Sequence, residues 1–285
     1  MPSPTSPIGV FDSGIGGLSV LRALREVLPG ERFVYLADSG NAPYGERGDA
    51  FVQERSAHIT GWMREQHDVK ALVIACNTAT AAAVDGLRDT NTGLPIIGVE
   101  PALKPAALRS KTHTVGVIAT HGTVSSARFA ALQAANAAQT RFVVQACSGL
   151  ARAIEDSTRP DIPAEQSAAQ IQALCAQYTN AMGAFGSNAG EIDTLVLGCT
   201  HYIFAADTLR SLVGPDTTLI DTGAPVARRT YSLLHATGML RKPAQAMAPA
   251  EQCMLFTTGE LSALQHAAEQ WLSLDARCCH LAAAL

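Results

Sequence analysis

Residues 69–78 read VKALVIACNT, and residues 192–201 read IDTLVLGCTH. Each stretch is an apolar run of strand length that ends in a small residue, a cysteine and polar residues. Each is followed by a sequence that can be helical. Cys76 and Cys199 are therefore predicted at the carboxyl ends of strands, where ligands bind in open parallel sheets. The positive end of a helix dipole favours a thiolate there. One such cysteine suggests a nucleophile, and two suggest acid/base groups on opposite sides of one substrate.

Strand-like and helix-like patterns alternate on both sides of the first cysteine. Helical spacing of apolar residues predicts helices over about 18–28, 50–66 and 77–88. Short apolar runs predict buried strands over 8–11, 33–37, 71–75 and 95–99. This alternation indicates βαβ units and a mainly parallel sheet.

The pattern then restarts, which indicates an internal repeat. Residues 114–119 resemble the opening strand, later strands are expected at 141–144 and 195–197, and residues 219–222 parallel 96–99. We predict two similar α/β domains, related by a pseudo-twofold axis, with the active site in the cleft between them. The first comprises residues 1–101 plus 219–285, and the second residues 102–218.

The less regular segments allow a coarser prediction. A helix is expected within 163–182, and the tail offers a strand at 254–257 and a helix at about 260–273. The last residues, from Cys278-Cys279-His280 onward, are predicted to be a frayed end.

Bulk composition restricts the class of protein. The chain has 285 residues, 47% of them hydrophobic, and a net charge of −4. This charge argues against nucleic acid as the main partner. We see no secretory signal and no apolar run long enough for a membrane span, so a cytoplasmic protein is expected. Seven cysteines without a tight framework are typical of free thiols rather than disulfides.

The glycine-rich stretch from Asp12 to Gly17 follows the first strand and allows three interpretations. A phosphate loop is one, although the spacing is not G-x-G-x-x-G and no Gly-Lys-Ser/Thr follows. A tight strand-to-helix turn with Asp12 as helix cap is another. In the third, Asp12 is a cleft carboxylate that orients or deprotonates a neighbour.

The two cysteines also have more than one interpretation. A single buried cysteine usually acts as a small hydrophobic residue, but duplication in equivalent contexts favours function. Zinc binding and redox chemistry would both favour C-x-x-C, which is missing here. His201, two residues after Cys199, suits proton transfer near neutral pH. Asp12 would serve Cys76 in the same way if their strands are neighbours. The other cysteines and histidines lack such a context.

Four blocks of this sequence resemble the signature blocks of the glutamate racemase family, within the aspartate/glutamate racemase superfamily. The resemblance runs from about residue 8 to about 260, and weaker blocks match at 120–124 and 220–223. The four blocks are residues 11–18 (FDSGIGGL), 42–45 (APYG), 75–79 (ACNTA) and 198–202 (GCTHY).

The resemblance implies a racemase, independent of cofactor and metal, that interconverts L- and D-glutamate for peptidoglycan synthesis in the cytoplasm. One thiolate would remove the α-proton and the other thiol would protonate the opposite face. Asp12 and His201 would assist Cys76 and Cys199, respectively. Glu155 aligns loosely with a family carboxylate, and a homodimer is left open. The substrate site would be lined by Asp12, Ser13, Tyr44, Gly45, Asn77, Thr78, Thr200 and His201.

Thiols suit this reaction because their unperturbed pKa of about 8.5 can be tuned toward neutrality. The site must also stabilise carbanionic charge with fixed hydrogen-bond donors. One departure from the family is Ile203, where a proline is usual after Cys-Thr-His-Tyr; its loss is expected to loosen the start of a helix. Racemisation of another acidic amino acid, amino-acid binding without turnover and a redox role for the two cysteines remain alternatives.

Overall fold

The computed structural model describes residues 2–242, 247–282 and 285. Within these residues ten strands form two sheets, and every neighbouring pair of strands is parallel. The strands are β1 (Ile8–Asp12), β2 (Phe33–Ala37), β3 (Ala71–Ile74), β4 (Ile96–Gly98), β5 (Thr114–Ala119), β6 (Arg141–Ala146), β7 (Thr194–Gly198), β8 (Thr218–Ile220), β9 (Cys253–Thr257) and β10 (Cys279–Leu281).

Helices connect these strands and cover the sheets. They are α1 (Leu18–Val27), α2 (Asp49–His67), α3 (Asn77–Thr90), α4 (Leu103–Arg109), α5 (His121–Val124), α6 (Ala127–Asn136), α7 (Leu150–Asp156), α8 (Ala164–Met182), α9 (Ala206–Val213), α10 (Gly223–Ala236), α11 (Pro249–Gln252) and α12 (Leu261–Leu272). No helix in the described part of the chain is long and apolar enough to cross a bilayer.

The strand order confirms the internal repeat. The first sheet has the order β10-β9-β2-β1-β3-β4, and the second has the order β6-β5-β7-β8. The four strands β2-β1-β3-β4 therefore correspond, one for one, to β6-β5-β7-β8. The predicted fold class, two α/β domains with parallel sheets, is confirmed.

The apolar character of the strands follows from their burial on both faces. Every residue of β1, β2, β3, β5 and β7 is buried. In the first sheet, α1, α10 and α12 pack on one face and α2 and α3 on the other. In the second sheet, α7, α8 and α9 oppose α4 and α6. Parallel sheets covered in this way have near-continuous Val/Ile/Leu runs, which is why the strands could be predicted from the sequence.

Two details differ from the expectations. The predicted domain boundary at residue 219 assigns most of β8 to the first domain, but β8 pairs with β7 in the second sheet. The chain returns to the first domain with α10, which packs against the core around α1. A division that follows the sheets therefore falls after Ile220, and the division into domains itself stays a prediction.

The prediction of a frayed carboxyl end is wrong for residues 278–282, whereas residues 283 and 284 lie outside the described part of the chain. Cys279–Leu281 forms β10, which pairs in parallel with β9 at the edge of the first sheet. Cys278 and Cys279 are buried in the core of the first domain. The segment is ordered because its backbone completes the sheet while these two thiols fill the core, a long-range gain that its short, alanine-rich sequence does not reveal. The strand and helix predicted before it are confirmed as β9 and α12.

Candidate active site

The repeated strand order positions both cysteines at switch points of the sheets. In the first sheet, β2 lies on one side of β1 and β3 lies on the other. In the second sheet, β6 and β7 flank β5 in the same way. A crevice opens at such a point beyond the carboxyl ends of the strands. Asp12 ends β1 and Cys76 follows β3, whereas Thr120 follows β5 and Cys199 follows β7.

These strand ends meet at one small cavity between the two sheets. All ten site residues predicted from the sequence line it: Asp12, Ser13, Tyr44, Gly45, Cys76, Asn77, Thr78, Cys199, Thr200 and His201. Further lining residues are Ala42, Pro43, Thr120, Ala151, Arg152 and Glu155. The cavity volume is about 20 Å³, which is about the space of one ordered water molecule. The cavity is therefore too small for an amino acid in this arrangement of the side chains.

Cys76 lies at the N-cap of α3. The Ala79 N–H donates to Cys76 Sγ over 3.4 Å, and the thiol faces Ser13 Oγ at 3.7 Å. Burial raises the pKa of the Cys76 thiol, and the negative charge of Asp12 raises it further. The helix N-terminus acts in the opposite direction, as the sequence suggested, but burial prevails. Cys76 is therefore a neutral thiol in this closed arrangement.

Asp12 is a buried carboxylate that joins the two domains. Its Oδ1 accepts the Ser13 N–H at 2.7 Å, and its Oδ2 accepts the Gly17 N–H at 2.5 Å and the Thr200 hydroxyl at 3.2 Å. Burial raises the pKa of Asp12 to about 6; His201 lowers it and Glu155 adds to the rise. A carboxyl group with this pKa can take up or release a proton close to neutral pH, as the cleft-carboxylate interpretation requires.

Cys199 has a different environment. It is followed by a short 3₁₀ turn at Tyr202–Ala205, and α9 begins only at Ala206. The helical stretch expected after each cysteine therefore begins directly after Cys76, at Asn77, but only with the 3₁₀ turn at Tyr202 after Cys199. The reason is that residues 200–205 turn tightly to bury Tyr202 and Ala205 in the core of the second domain. Ile203, at the family's proline position, packs half-buried against the same core.

A histidine and a glutamate support Cys199. His201 Nδ1 lies 3.7 Å from Cys199 Sγ, and His201 Nε2 lies 2.7 Å from Glu155 Oε2. Burial lowers the pKa of His201, but hydrogen bonds to Cys199 and Glu155 outweigh burial and raise it well above its usual value. The imidazolium thus places a positive charge beside the Cys199 sulfur.

Glu155 is the functional residue that the sequence indicated only weakly. It is carried by α7 of the second domain, yet it accepts the Ser39 hydroxyl at 2.6 Å and the Ile15 N–H at 2.9 Å from the first domain. It therefore links the first domain to His201. Its signal in the sequence was a loose match, because no local motif surrounds it.

The glycines of residues 12–17 make room for this link. A Cβ atom at Gly14 would overlap the Glu155 carboxylate, and one at Gly16 would overlap the His201 ring. At Gly17 a Cβ would lie 2.7 Å from the Cβ of Asp12. The glycine-rich stretch is therefore explained by the close approach of Glu155 and His201, and the phosphate-loop interpretation is not needed.

The loop that carries Tyr44 and Gly45 closes the cavity from another side. The Tyr44 hydroxyl donates to Asp38 Oδ2 at 2.5 Å, and Arg55 binds both oxygens of Asp38 at 2.7 and 3.0 Å. The Thr258 hydroxyl donates to Asp38 Oδ1 at 2.8 Å. Burial and the charge of Asp38 raise the pKa of Tyr44, which keeps it a neutral donor. This buried network fixes the loop rather than taking part in the chemistry.

The remaining polar residues form a set of hydrogen-bonding groups for a ligand. Both polar atoms of the Asn77 side chain are buried and have no hydrogen-bond partner among the described residues. Thr78 and Thr120 share a hydrogen bond of 3.0 Å across the cleft. Buried polar groups are rarely left unpaired, so Asn77 indicates where a polar ligand binds.

Comparison with known proteins agrees with this geometry. Residues 8–230 match the family model described as Asp/Glu/Hydantoin racemase. A glutamate racemase of Ectopseudomonas mendocina is 44% identical over 265 residues, which cover 93% of this chain and 94% of the relative.

Two solved structures show the same overall fold. The glutamate racemase of Francisella tularensis, solved with D-glutamate, is 26% identical, with a TM-score of 0.79 and coverage of 98% of both chains. The glutamate racemase of Escherichia coli, solved with L-glutamate and the activator UDP-MurNAc-Ala, is 29% identical, with a TM-score of 0.77 and coverage of 93% of this chain and 95% of that one. Family model, sequence relatives and site geometry agree, and the chain belongs to the Asp/Glu/Hydantoin racemase family.

Proposed function

We propose that this protein interconverts L- and D-glutamate by a reaction that uses two thiols and no cofactor. The observation that carries the proposal is the convergence of Cys76 and Cys199, from equivalent positions of two repeated sheets, on one cavity. Each thiol has its own ionisable neighbour, Asp12 for Cys76 and His201 for Cys199. Related glutamate racemases have been solved with each enantiomer of glutamate, which supports the choice of substrate.

The chemistry follows from the positions of the thiols. One thiolate removes the α-proton, so that the Cα–H bond breaks, an S–H bond forms and the electron pair moves into the carboxylate system. The opposite thiol then gives its proton to the other face of Cα, and its sulfur becomes the thiolate. The thiols exchange protonation states in each turnover. The reverse reaction uses the same groups in the opposite order.

The buried neighbours make proton transfer accessible near neutral pH. Asp12 accepts the Thr200 hydroxyl and the backbone N–H of Gly17, and its charge acts on the Cys76 thiol. His201, held by Glu155, is placed to stabilise the Cys199 thiolate. Asn77 and Thr78 are placed to donate to substrate carboxylates, whose negative charge grows as the proton leaves.

The activity is tested with purified protein in D₂O without pyridoxal phosphate. We expect deuterium at Cα of glutamate starting from either enantiomer, and a change of optical rotation toward the racemate. A panel of aspartate and other acidic amino acids separates the glutamate assignment from its nearest alternative. Glutamate binding with unchanged rotation would support a binding module instead, and a Cys76–Cys199 disulfide under mild oxidation would support a redox role.

We further propose that the product supplies peptidoglycan synthesis in the cytoplasm. The seven cysteines are all free thiols in the structure, which fits a reducing compartment. The division into two domains, and assembly as a homodimer, are part of the same proposal. Sedimentation of the purified protein decides the oligomeric state.

A further inference from the structure

The short helix α7 presents a second charged residue to the cleft besides Glu155. Arg152 lies three positions before Glu155, and residues at this spacing share a helix face. Its side chain is 47% exposed, and it lines the cavity together with Ala151 and Glu155. The guanidinium is therefore at the rim of the cleft, between solvent and the buried site.

The guanidinium is only partly engaged. Its Nε donates to Asp156 Oδ2 at 2.9 Å, one turn further along the same helix. This is its sole hydrogen bond to the part of the chain that the structure describes. The two terminal nitrogens thus keep their N–H groups for another partner, in the fork that matches a carboxylate.

The charge balance of the cavity makes this cation necessary. Asp12 and Glu155 contribute two carboxyl groups to the lining, and both disfavour an approaching anion. His201 is cationic, but its two ring nitrogens face Glu155 and Cys199. Among the described lining residues, Arg152 is the one side chain with a permanent positive charge. Glutamate carries two carboxylates and one ammonium group, so its net charge is negative, and a cation at the entrance offsets the repulsion that the carboxyl groups of the cavity exert on its carboxylates.

We propose that Arg152 captures a carboxylate of the incoming substrate at the rim of the cleft and thereby favours dicarboxylic amino acids. This inference rests on the proposed glutamate racemisation and adds a specificity residue to it. Charge at a cleft entrance raises the local concentration of an oppositely charged substrate, and salt screens the effect. Loss of Arg152 should therefore raise KM much more than it lowers kcat, and mainly at low ionic strength.

The test compares Arg152→Gln, Arg152→Lys and the wild type over a range of NaCl concentrations. Arg159→Gln is the matched control, because it also removes one positive charge next to an aspartate, Asp161, but lies outside the cavity lining. At about 10 mM salt we expect kcat/KM of Arg152→Gln to fall by about 3- to 10-fold relative to Arg159→Gln. The deficit should largely disappear near 1 M salt, where the screening length is about 3 Å. Arg152→Lys should recover most of the loss because the charge is kept.

Equal values for Arg152→Gln and Arg159→Gln at low salt would overturn the inference. So would a loss in kcat that does not respond to salt, because that pattern describes a structural role. Calorimetric binding of glutamate to Cys76→Ala, with and without Arg152→Gln, repeats the comparison with turnover suppressed. If the wild type binds glutamate in this salt-dependent way but does not racemise it, the proposed function fails while the role of Arg152 stands.

Discussion

The two halves of the molecule place a cysteine at the same point of the same strand pattern and then surround it differently. Cys76 caps the 14-residue helix α3 and borders Ser13 and Asp12. Cys199 precedes a tight turn and lies against His201, which Glu155 holds from behind. The duplicated fold thus supplies the positions of the two thiols, and the residues added to each half supply different proton-transfer partners.

The difference gives the resting site an uneven distribution of charge. Burial and the carboxylate of Asp12 raise the pKa of Cys76, which favours its neutral form. The cation of His201 lies beside the sulfur of Cys199. The resting protein is therefore expected to hold a proton on Cys76 and to place opposite charges beside the two sulfurs. Substitutions on either side of the site test this asymmetry.

Removal of either thiol should have the largest effect. We expect Cys76→Ala and Cys199→Ala each to lower the rate of racemisation by about 10³-fold or more, because one face of Cα loses its acid/base group. The measurement is the change in optical rotation with each enantiomer as substrate. Cys253→Ala, which removes a buried thiol of the core of the first domain, serves as control and should keep nearly full activity. Full activity in either single mutant would contradict the two-thiol reaction.

Removing the charge of Glu155 should selectively impair proton transfer at Cys199. Glu155→Gln removes a charge that raises the pKa of His201, so the imidazolium should lose its proton at lower pH. We expect kcat to fall by about 10- to 100-fold and the alkaline limb of the pH profile to move toward neutral pH. Ser39→Ala, which removes one hydrogen bond to Glu155 and keeps its charge, should leave that limb in place. Equal pH profiles of kcat for wild type and Glu155→Gln would show that the pKa of His201 does not depend on Glu155.

Asp12, the ionisable neighbour of Cys76, should set the acid limb of the pH–activity profile. Asp12 has a pKa raised to about 6 by burial, and its carboxylate is the form that accepts a proton. Activity should therefore be retained above this pH and fall as the pH decreases through about 6. Asp12→Asn should lower kcat by about 10²-fold and abolish this limb. A wild-type profile that stays flat down to pH 5 would exclude Asp12 as the group responsible.

Loosening the loop of Tyr44 should have the smallest effect. Thr258→Val keeps the shape of the side chain but removes the hydroxyl that donates to Asp38. We expect a loss of about 1 kcal/mol in the free energy of unfolding and a rise in KM of about 2- to 3-fold, with kcat nearly unchanged. Denaturant melts and steady-state kinetics measure both. A large loss in kcat would mean that the Asp38 network takes part in the chemistry.

The sequence predicts the symmetric part of this molecule better than the asymmetric part. The apolar runs ending at Cys76 and Cys199 reveal two buried parallel strands, because such strands are apolar on both faces. The role of Glu155 is less visible, since its partners Ser39, Ile15 and His201 are 46 or more residues away in the sequence. Long-range pairing likewise explains why β10 was not predicted.

The measurement that tests the two-thiol account most directly is the early time course of deuterium labelling in D₂O. With L-glutamate as substrate, two thiols on opposite faces predict that newly formed D-glutamate carries deuterium at Cα while the remaining L-glutamate stays unlabelled. The reverse experiment, starting from D-glutamate, should give the mirror result. If label instead enters the remaining substrate as fast as the product, one group serves both faces, and the account of two unequal thiols is wrong.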